Sequence, residues 1–186
     1  MKRIEAILLL AIALCLGGCQ KDSRREDVNN WCMEDMKFYD YEGKPVWELT
    51  IDNREISLRD KAGLQTYRGV KIGDDAKEIL SQYNMDDFRY RIAGNFDSKD
   101  SSKSHDEAEA LTEQYKDVTP EEMLGHLAEI SGFDVIFSYS TEVYLLDGKF
   151  YRLSEMEDTE NYDYGFWIQF YIKDEKIDNV KITLWG

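Results

Sequence analysis

Five carboxylates, Glu155, Glu157, Asp158, Glu160 and Asp163, fall within nine residues that contain no lysine or arginine. Acids at that density can do two kinds of chemistry. Their oxygens can ligate a hard cation such as calcium, and two of them facing one another in a concave pocket can share general acid and general base work. Their spacing matches no calcium loop, and a run of like charges ordinarily faces water. A solvated acidic loop is therefore the simpler reading, and an enzyme built on the carboxylates from Glu155 to Asp163 is the alternative. The two histidines, His105 and His126, are isolated from each other and from cysteine, one at a predicted helix start and one near a helix's polar face, which suits solvated surface residues. No G-x-S-x-G, H-E-x-x-H or G-x-x-x-x-G-K-[ST] pattern organises a nucleophile, a zinc site or a phosphate loop. Gly69-Val70-Lys71-Ile72-Gly73 offers backbone N–H groups before a helix, but its spacing is not G-x-G-x-x-G and a tight turn explains it better. The expectation is a protein that is not an enzyme, with no catalytic residue, metal or cofactor.

Aromatic residues make the more specific pattern. Near the C-terminus Phe166, Ile168, Phe170 and Ile172 alternate with Trp167, Gln169 and Tyr171, and Val180, Ile182 and Leu184 alternate with Lys181, Thr183 and Trp185. A period of two places one set in a core and the other on the opposite face of a sheet. Trp167, Tyr171 and Trp185 are then either covered by further strands or exposed as a partner-binding surface.

The elements that position these residues can be read from periodicity. Strand-like segments Val46–Ile51 and Glu55–Leu58 flank Asp52-Asn53, a predicted hairpin turn. Three helices follow. The first begins near Asp74 or Asp75, with Ala76, Ile79, Leu80 and Tyr83 on one face. The second is introduced by Ser104 with Glu107 in capping-box spacing, and carries Ala108, Leu111 and Tyr115. The third has Thr119 as N-cap, Pro120 at the first position, Glu122 completing the box, and Met123, Leu124, Leu127 and Ile130 as its stripe until Gly132. Strands are predicted at Phe133 to Tyr139, Val143 to Leu146, Phe150 to Leu153, Gly165 to Lys173 and Ile177 to Trp185, with a hairpin turn at Asp147-Gly148. The polar segment Asp97 to Lys103 reads as a mobile loop. The fold class is α+β, an antiparallel sheet with about three helices packed on one face.

The N-terminus sets location. Met1-Lys2-Arg3 is followed by an apolar run from Ile7 to Leu16, which has the length of a signal's hydrophobic region and falls short of the roughly 20 residues a membrane span requires. Leu16-Gly17-Gly18-Cys19 then resembles the lipobox of bacterial lipoproteins. The resemblance implies cleavage before Cys19, a diacylglyceryl thioether on its sulfur and acylation, commonly with palmitate, of the new amino group. An ordinary secretory signal with an incidental cysteine is the alternative. Residues 1–18 are thus read as signal peptide, 19–30 as lipidated N-terminus and tether, and 31–186 as one globular domain. Hydrophobic content of 42% and aromatic content of 13% exclude wholesale disorder. The whole chain carries −15; loss of the signal, Lys2 and Arg3 against Glu5, leaves −16. That charge disfavours nucleic acid and repels anionic lipid, so membrane residence requires the covalent anchor. Once Cys15 has left with the signal and Cys19 is alkylated, Cys32 has no disulfide partner and reads as a small buried hydrophobe.

The run from Thr66 to Tyr83, Thr-Tyr-Arg-Gly-Val-Lys-Ile-Gly-Asp-Asp-Ala-Lys-Glu-Ile-Leu-Ser-Gln-Tyr, resembles the entry to the first helix in BamE-like (SmpA/OmlA) lipoproteins. It is also similar to uncharacterised lipoproteins of Gram-positive bacteria and to the repeated unit of β-lactamase inhibitory protein, whose closing strands the terminal hairpin resembles. The helix here ends in Tyr83-Asn84 where the family has Gly, and two more helices precede the final strands. The resemblance implies a non-enzymatic role in protein binding or envelope assembly on the extracytoplasmic face of the cell membrane, with an envelope or extracellular protein as partner. It carries over no site residue.

Overall fold

Alternation of apolar and polar residues runs through the second half of the chain, and there the backbone is largely strand. The computed structural model describes residues 31–94, 101–152 and 164–186, of which Cys32–Gly186 forms one compact unit. After a 3-10 turn at Met33–Met36 come β1 (Lys37–Tyr39), β2 (Pro45–Glu48), β3 (Glu55–Ser57) and β4 (Gln65–Thr66). Helix α1 (Glu78–Gln82) is followed by β5 (Arg89–Ala93), α2 (Ser101–Gln114), α3 (Pro120–His126), β6 (Asp134–Leu146), β7 (Lys149–Arg152), β8 (Tyr164–Lys173) and β9 (Lys176–Trp185). The protein is mixed α+β, and all paired strands among the described residues are antiparallel. No helix among them is long and apolar enough to cross a membrane.

The strands form two sheets where one was expected. A three-stranded sheet has the order β2-β1-β4, and a six-stranded sheet the order β3-β9-β8-β6-β5, with β7 paired to β6. The expected hairpin about Asp52-Asn53 is not made. Thr50 and Asn53 do exchange backbone hydrogen bonds, at 3.0 and 3.2 Å, but β2 pairs with β1 and β3 pairs with β9. The turn at Thr50–Asn53 forms locally, and distant strands decide the partners of β2 and β3. Similarly, the two strands predicted at 133–139 and 143–146 are one strand, β6, long enough to serve three neighbours. Strand β5 was not anticipated; in Arg89-Tyr90-Arg91-Ile92-Ala93 the inward set is only partly apolar.

Two tight turns close the main hairpins. Asp147 and Gly148 have φ of 50° and 75°, as expected of an Asp-Gly turn, while Asp174 and Glu175 adopt 48° and 62° without a glycine. Helix α3 follows its sequence signature closely. Thr119 Oγ1 accepts the Glu122 N–H at 3.2 Å, and the Glu122 carboxylate accepts the Thr119 N–H at 3.0 Å. The helix tightens to 3-10 geometry at Leu127–Ile130 before Gly132, at φ 93°, ends it. Helix α2 departs from expectation. It is described over Ser101–Gln114, so Ser104 lies inside it, and residues 101–103 of the predicted loop are helical; residues 97–100 of that loop lie outside the described residues.

On the large sheet, Phe166, Ile168, Phe170 and Ile172 of β8 and Val180, Ile182 and Leu184 of β9 are all buried, as the alternation predicts. Tyr83, directly after α1, sets its ring against Phe170 at 5.1 Å and against Phe88 at 6.1 Å. From β5, the Tyr90 hydroxyl donates to the carbonyls of Tyr115 and Val118, which follow α2. These contacts hold the apolar face. The residues between, Trp167, Gln169 and Tyr171, point to the other face, opposite Thr183, Lys181 and Asn179 of β9 and Ser140, Ser138 and Ile136 of β6.

Candidate interaction surface

At one end of that second face Trp167 and Trp185 meet edge to face, with centroids 6.2 Å apart and planes at 62°. Trp167 is 42% and Trp185 46% exposed, the two indoles being among the few large apolar side chains left open to solvent among the described residues. Their arrangement depends on Gly165. It is the cross-strand partner of Trp185, and a Cβ placed on it would lie 1.9 Å from the Trp185 ring. The indole therefore lies directly on the β8 backbone, a close approach that only glycine permits. Beyond it, Arg54 donates from Nη1 to the Gly186 carbonyl at 3.0 Å and stacks on the Tyr164 ring, fixing the end of β9. The pair is thus held by a strand partner on each side while presenting open edges.

Tyr171 does not join the two tryptophans. It lies four residues along β8, about 13 Å at strand rise, is half-buried, and donates its hydroxyl to Gln169 Oε1 at 3.3 Å. Of the two alternatives left open by the alternation, exposure holds for Trp167 and Trp185, while Tyr171 is half-buried and leans along its strand toward Gln169. Adjoining Trp167 is a recess of about 460 Å³ lined also by Asp87, Arg89, Ser138, Tyr139 and Ser140. Arg89 and Asp87 arrive from the unanticipated β5 and the turn before it, which is why alternation in the terminal hairpin alone could not reveal the recess.

A second cluster joins the start of the domain to the segment after β4. Asp35 is fully buried and receives Arg68 through two bonds, Nε to Oδ1 at 3.1 Å and Nη2 to Oδ2 at 3.2 Å. Arg68 also donates to the Gln82 carbonyl at 3.1 Å and lies over the Tyr83 ring at 4.8 Å. Burial opposes the Arg68 charge, but its hydrogen bonds to Asp35 and the nearness of that carboxylate outweigh it, and its pKa is raised. Burial raises the Tyr83 hydroxyl well above its ordinary range, with the Asp35 charge adding to it. The Cys32 N–H reaches Asp35 Oδ2 at 3.0 Å and its Sγ lies 3.5 Å from the same oxygen. Burial, reinforced by Asp35, pushes the Cys32 thiol up to about 11, so it stays protonated at neutral pH. Cys32 is half-buried, not enclosed as expected.

His105 is exposed. His126 is not simply solvated: its Nδ1 lies 3.1 Å from Glu129 Oε2, which also accepts the Tyr115 hydroxyl at 2.9 Å, and its ring rests on Tyr115. The backbone N–H groups about Gly69–Gly73 are committed: Gly69 to Thr66, Gly73 to Ile177 and Asp74 to Lys71. That segment is a tight turn locked onto β9. Among the described residues no three His, Cys, Asp or Glu side chains are grouped to hold a metal ion. The lipidation candidate Cys19 and the acidic run Glu155, Glu157, Asp158, Glu160 and Asp163 lie outside the described residues. Compared with protein-family models, with curated proteins and with solved structures, the chain matches none of them.

Proposed function

We propose that this chain is an extracytoplasmic lipoprotein, anchored through lipid on Cys19, whose domain is a non-enzymatic binding module for an envelope or extracellular protein. The observation that carries the reading is the exposed edge-to-face pair of Trp167 and Trp185 beside an Arg89-lined recess. Tryptophan and arginine are the residues in which interface energy concentrates, and a recess beside an indole gives a partner side chain somewhere to seat. With helices on the apolar face of the large sheet, the end of the opposite face that carries Trp167 and Trp185 is open to a partner. Lipid on Cys19 supports the same reading. A domain of this net negative charge is repelled as a whole by anionic lipid, and two or three acyl chains would hold it at the membrane, with residues 19–30 keeping the domain close to the surface.

Chemical crosslinking of the native lipoprotein in its own membrane, followed by pull-down, tests both halves. The expected outcome is a stoichiometric protein partner that Trp167→Ala with Trp185→Ala loses while the variant still folds and fractionates with membrane. Cys19→Ser should move the protein to the soluble fraction. A partner captured equally by wild type and the double variant would remove the tryptophan face from the account, and membrane retention of Cys19→Ser after a salt wash would remove the anchor.

A further inference from the structure

We infer that the recess beside Trp167 is a saccharide subsite, built to hold a neutral pyranose unit. The subsite belongs to the partner surface proposed above, rests on that reading, and names what the surface grips: a sugar displayed either on the partner's side chains or on an envelope polysaccharide. Strand register sets its geometry. Across the sheet Trp167 has Ser140 of β6 on one side and Thr183 of β9 on the other, while Ser138, two residues back along β6, faces Arg89 of β5. Short hydroxyl side chains therefore flank the indole and leave its ring uncovered, with Trp167 42% exposed. A pyranose presents a face of C–H groups, apolar and weakly positive, that matches the negative face of such a ring.

The recess supplies the polar half of the match. Its volume, about 460 Å³, is within the range of sites that hold small ligands. Asp87 offers acceptors only, Arg89 donors only, and the hydroxyls of Ser138 and Ser140 offer both. Asp87 and Arg89 are exposed, and among the described residues neither forms an ion pair with the other or with a third group. Ser138 is committed only through one long bond, 3.4 Å to the Arg89 carbonyl. A sugar hydroxyl is donor and acceptor at once, so adjacent hydroxyls of one ring can donate to Asp87 and accept from Arg89. Charge selects neutrality. One acid and one base line the recess, and around it stand Asp86, Arg91 on the same face of β5 and Glu142 on the same face of β6. With both signs present, neither an anion nor a cation is favoured. A purely apolar side chain would cover the indole but strip water from Asp87, Arg89 and two hydroxyls without replacing its hydrogen bonds, a cost incurred at each group. A neutral ligand with one apolar face and many hydroxyls meets both requirements.

The test uses the full lipoprotein in a polyoxyethylene detergent, which has no sugar head group, titrated calorimetrically with maltotriose, cellotriose, mannotriose and chitotriose. Saturable binding of at least one is expected. Trp167→Ala, Asp87→Ala and Arg89→Ala should each weaken it about tenfold, and raising salt from about 0.05 M to about 0.5 M should leave it unchanged. All three side chains are exposed, so far-UV circular dichroism should be the same in these variants. No saturation by any of the four at about 50 mM, equal binding by Trp167→Ala, or binding that salt removes would each overturn the inference. Two further arms separate the sources. Periodate, which cleaves vicinal diols, should abolish capture of the crosslinked partner where that protein carries the sugar; capture of protein-free polysaccharide from the same envelope places the sugar there instead. A partner captured equally after periodate treatment and in excess trisaccharide would overturn the saccharide subsite and leave the protein-binding reading standing. Saccharide binding with no protein partner would do the reverse.

Discussion

Gly165→Ala isolates the contact on which the tryptophan pair rests. The added methyl would lie 1.9 Å from the Trp185 ring, 2.1 Å from a second ring carbon and 2.3 Å from its nitrogen, so no small rotation relieves the clash and the indole must leave the sheet. Trp185 is the last residue of β9 and already 46% exposed, so it can swing outward with the hairpin intact. Losing the edge-to-face contact with Trp167 costs about 0.5–1.5 kcal/mol, and re-exposing the covered half of an indole, roughly 130 Å², costs up to about 3 kcal/mol. Replacing a strand glycine with alanine returns about 0.5–1 kcal/mol of backbone entropy. The net expectation is a destabilisation of about 1–3 kcal/mol, with the melting temperature lower by about 2–4 °C for each kcal/mol. A double-mutant cycle gives the cause: in a Trp185→Ala background Gly165→Ala should be neutral or slightly stabilising, and near-UV circular dichroism should lose the coupled-indole signal in every variant of the cycle. If Gly165→Ala destabilises equally with and without Trp185, the ring does not rest on the glycine and the reasoning fails.

The Asp35 and Arg68 pair should behave as a buried ion pair: Asp35→Asn or Arg68→Met alone should cost about 3–5 kcal/mol in urea unfolding, and their combination less than the sum; additive losses would mean the groups are not coupled. Cys32 should alkylate about tenfold more slowly at pH 8 than an ordinary thiol, the thiolate fraction falling about a hundredfold while its nucleophilicity rises about tenfold; a rate equal to a free thiol would contradict its position beside Asp35. His126 and Tyr115 hold the Glu129 carboxylate below its ordinary range by hydrogen bonding, and Thr119 does the same for Glu122. A carboxylate whose folded pKa is depressed stabilises the fold above its unfolded pKa and loses that contribution as pH falls through the folded value. Stability of wild type should therefore drop below about pH 4.5 more steeply than that of Glu129→Gln, and identical acid profiles would deny Glu129 the role.

Much of this fold was legible because period and capping are local properties. The buried set of β8 and β9, the Asp147-Gly148 turn and the Thr119 box with Glu122 each involve residues within a few positions of one another. What was not legible depended on partners far along the chain. Strands β2 and β3 look like two arms of a hairpin, but β3 is claimed by β9, where Asn179 is buried and its side-chain Oδ1 accepts the Ser57 hydroxyl at 2.9 Å and the Arg59 N–H at 3.0 Å. The turn at Asp174 and Glu175 is made without glycine because the flanking strands, paired along their length, impose it. At the candidate surface, alternation placed Trp167 and Trp185 on one face, but the dependence on Gly165 and the recess with Arg89 are cross-strand facts. The Asp35 and Arg68 pair joins positions that no local pattern connects.

Exposed indoles on a sheet face usually invite self-association, and the rest of the molecule is arranged against it. Strand β3, at one edge of the large sheet, is three residues long and begins with Glu55, whose carboxylate meets Lys181 from the next strand at 2.8 Å. Strand β5, at the other, carries the exposed Arg89 and Arg91. Short, charged edges resist pairing with a second copy. A net charge of −15 adds long-range repulsion between copies, which would have to overcome that cost to bury Trp167 and Trp185 against each other. The two indoles expose roughly 200 Å² together, about a quarter of what one side of a standard interface buries. They are therefore too small to form an interface alone, and the partner proposed above would have to supply the remainder through its charge and through side chains that fill the recess.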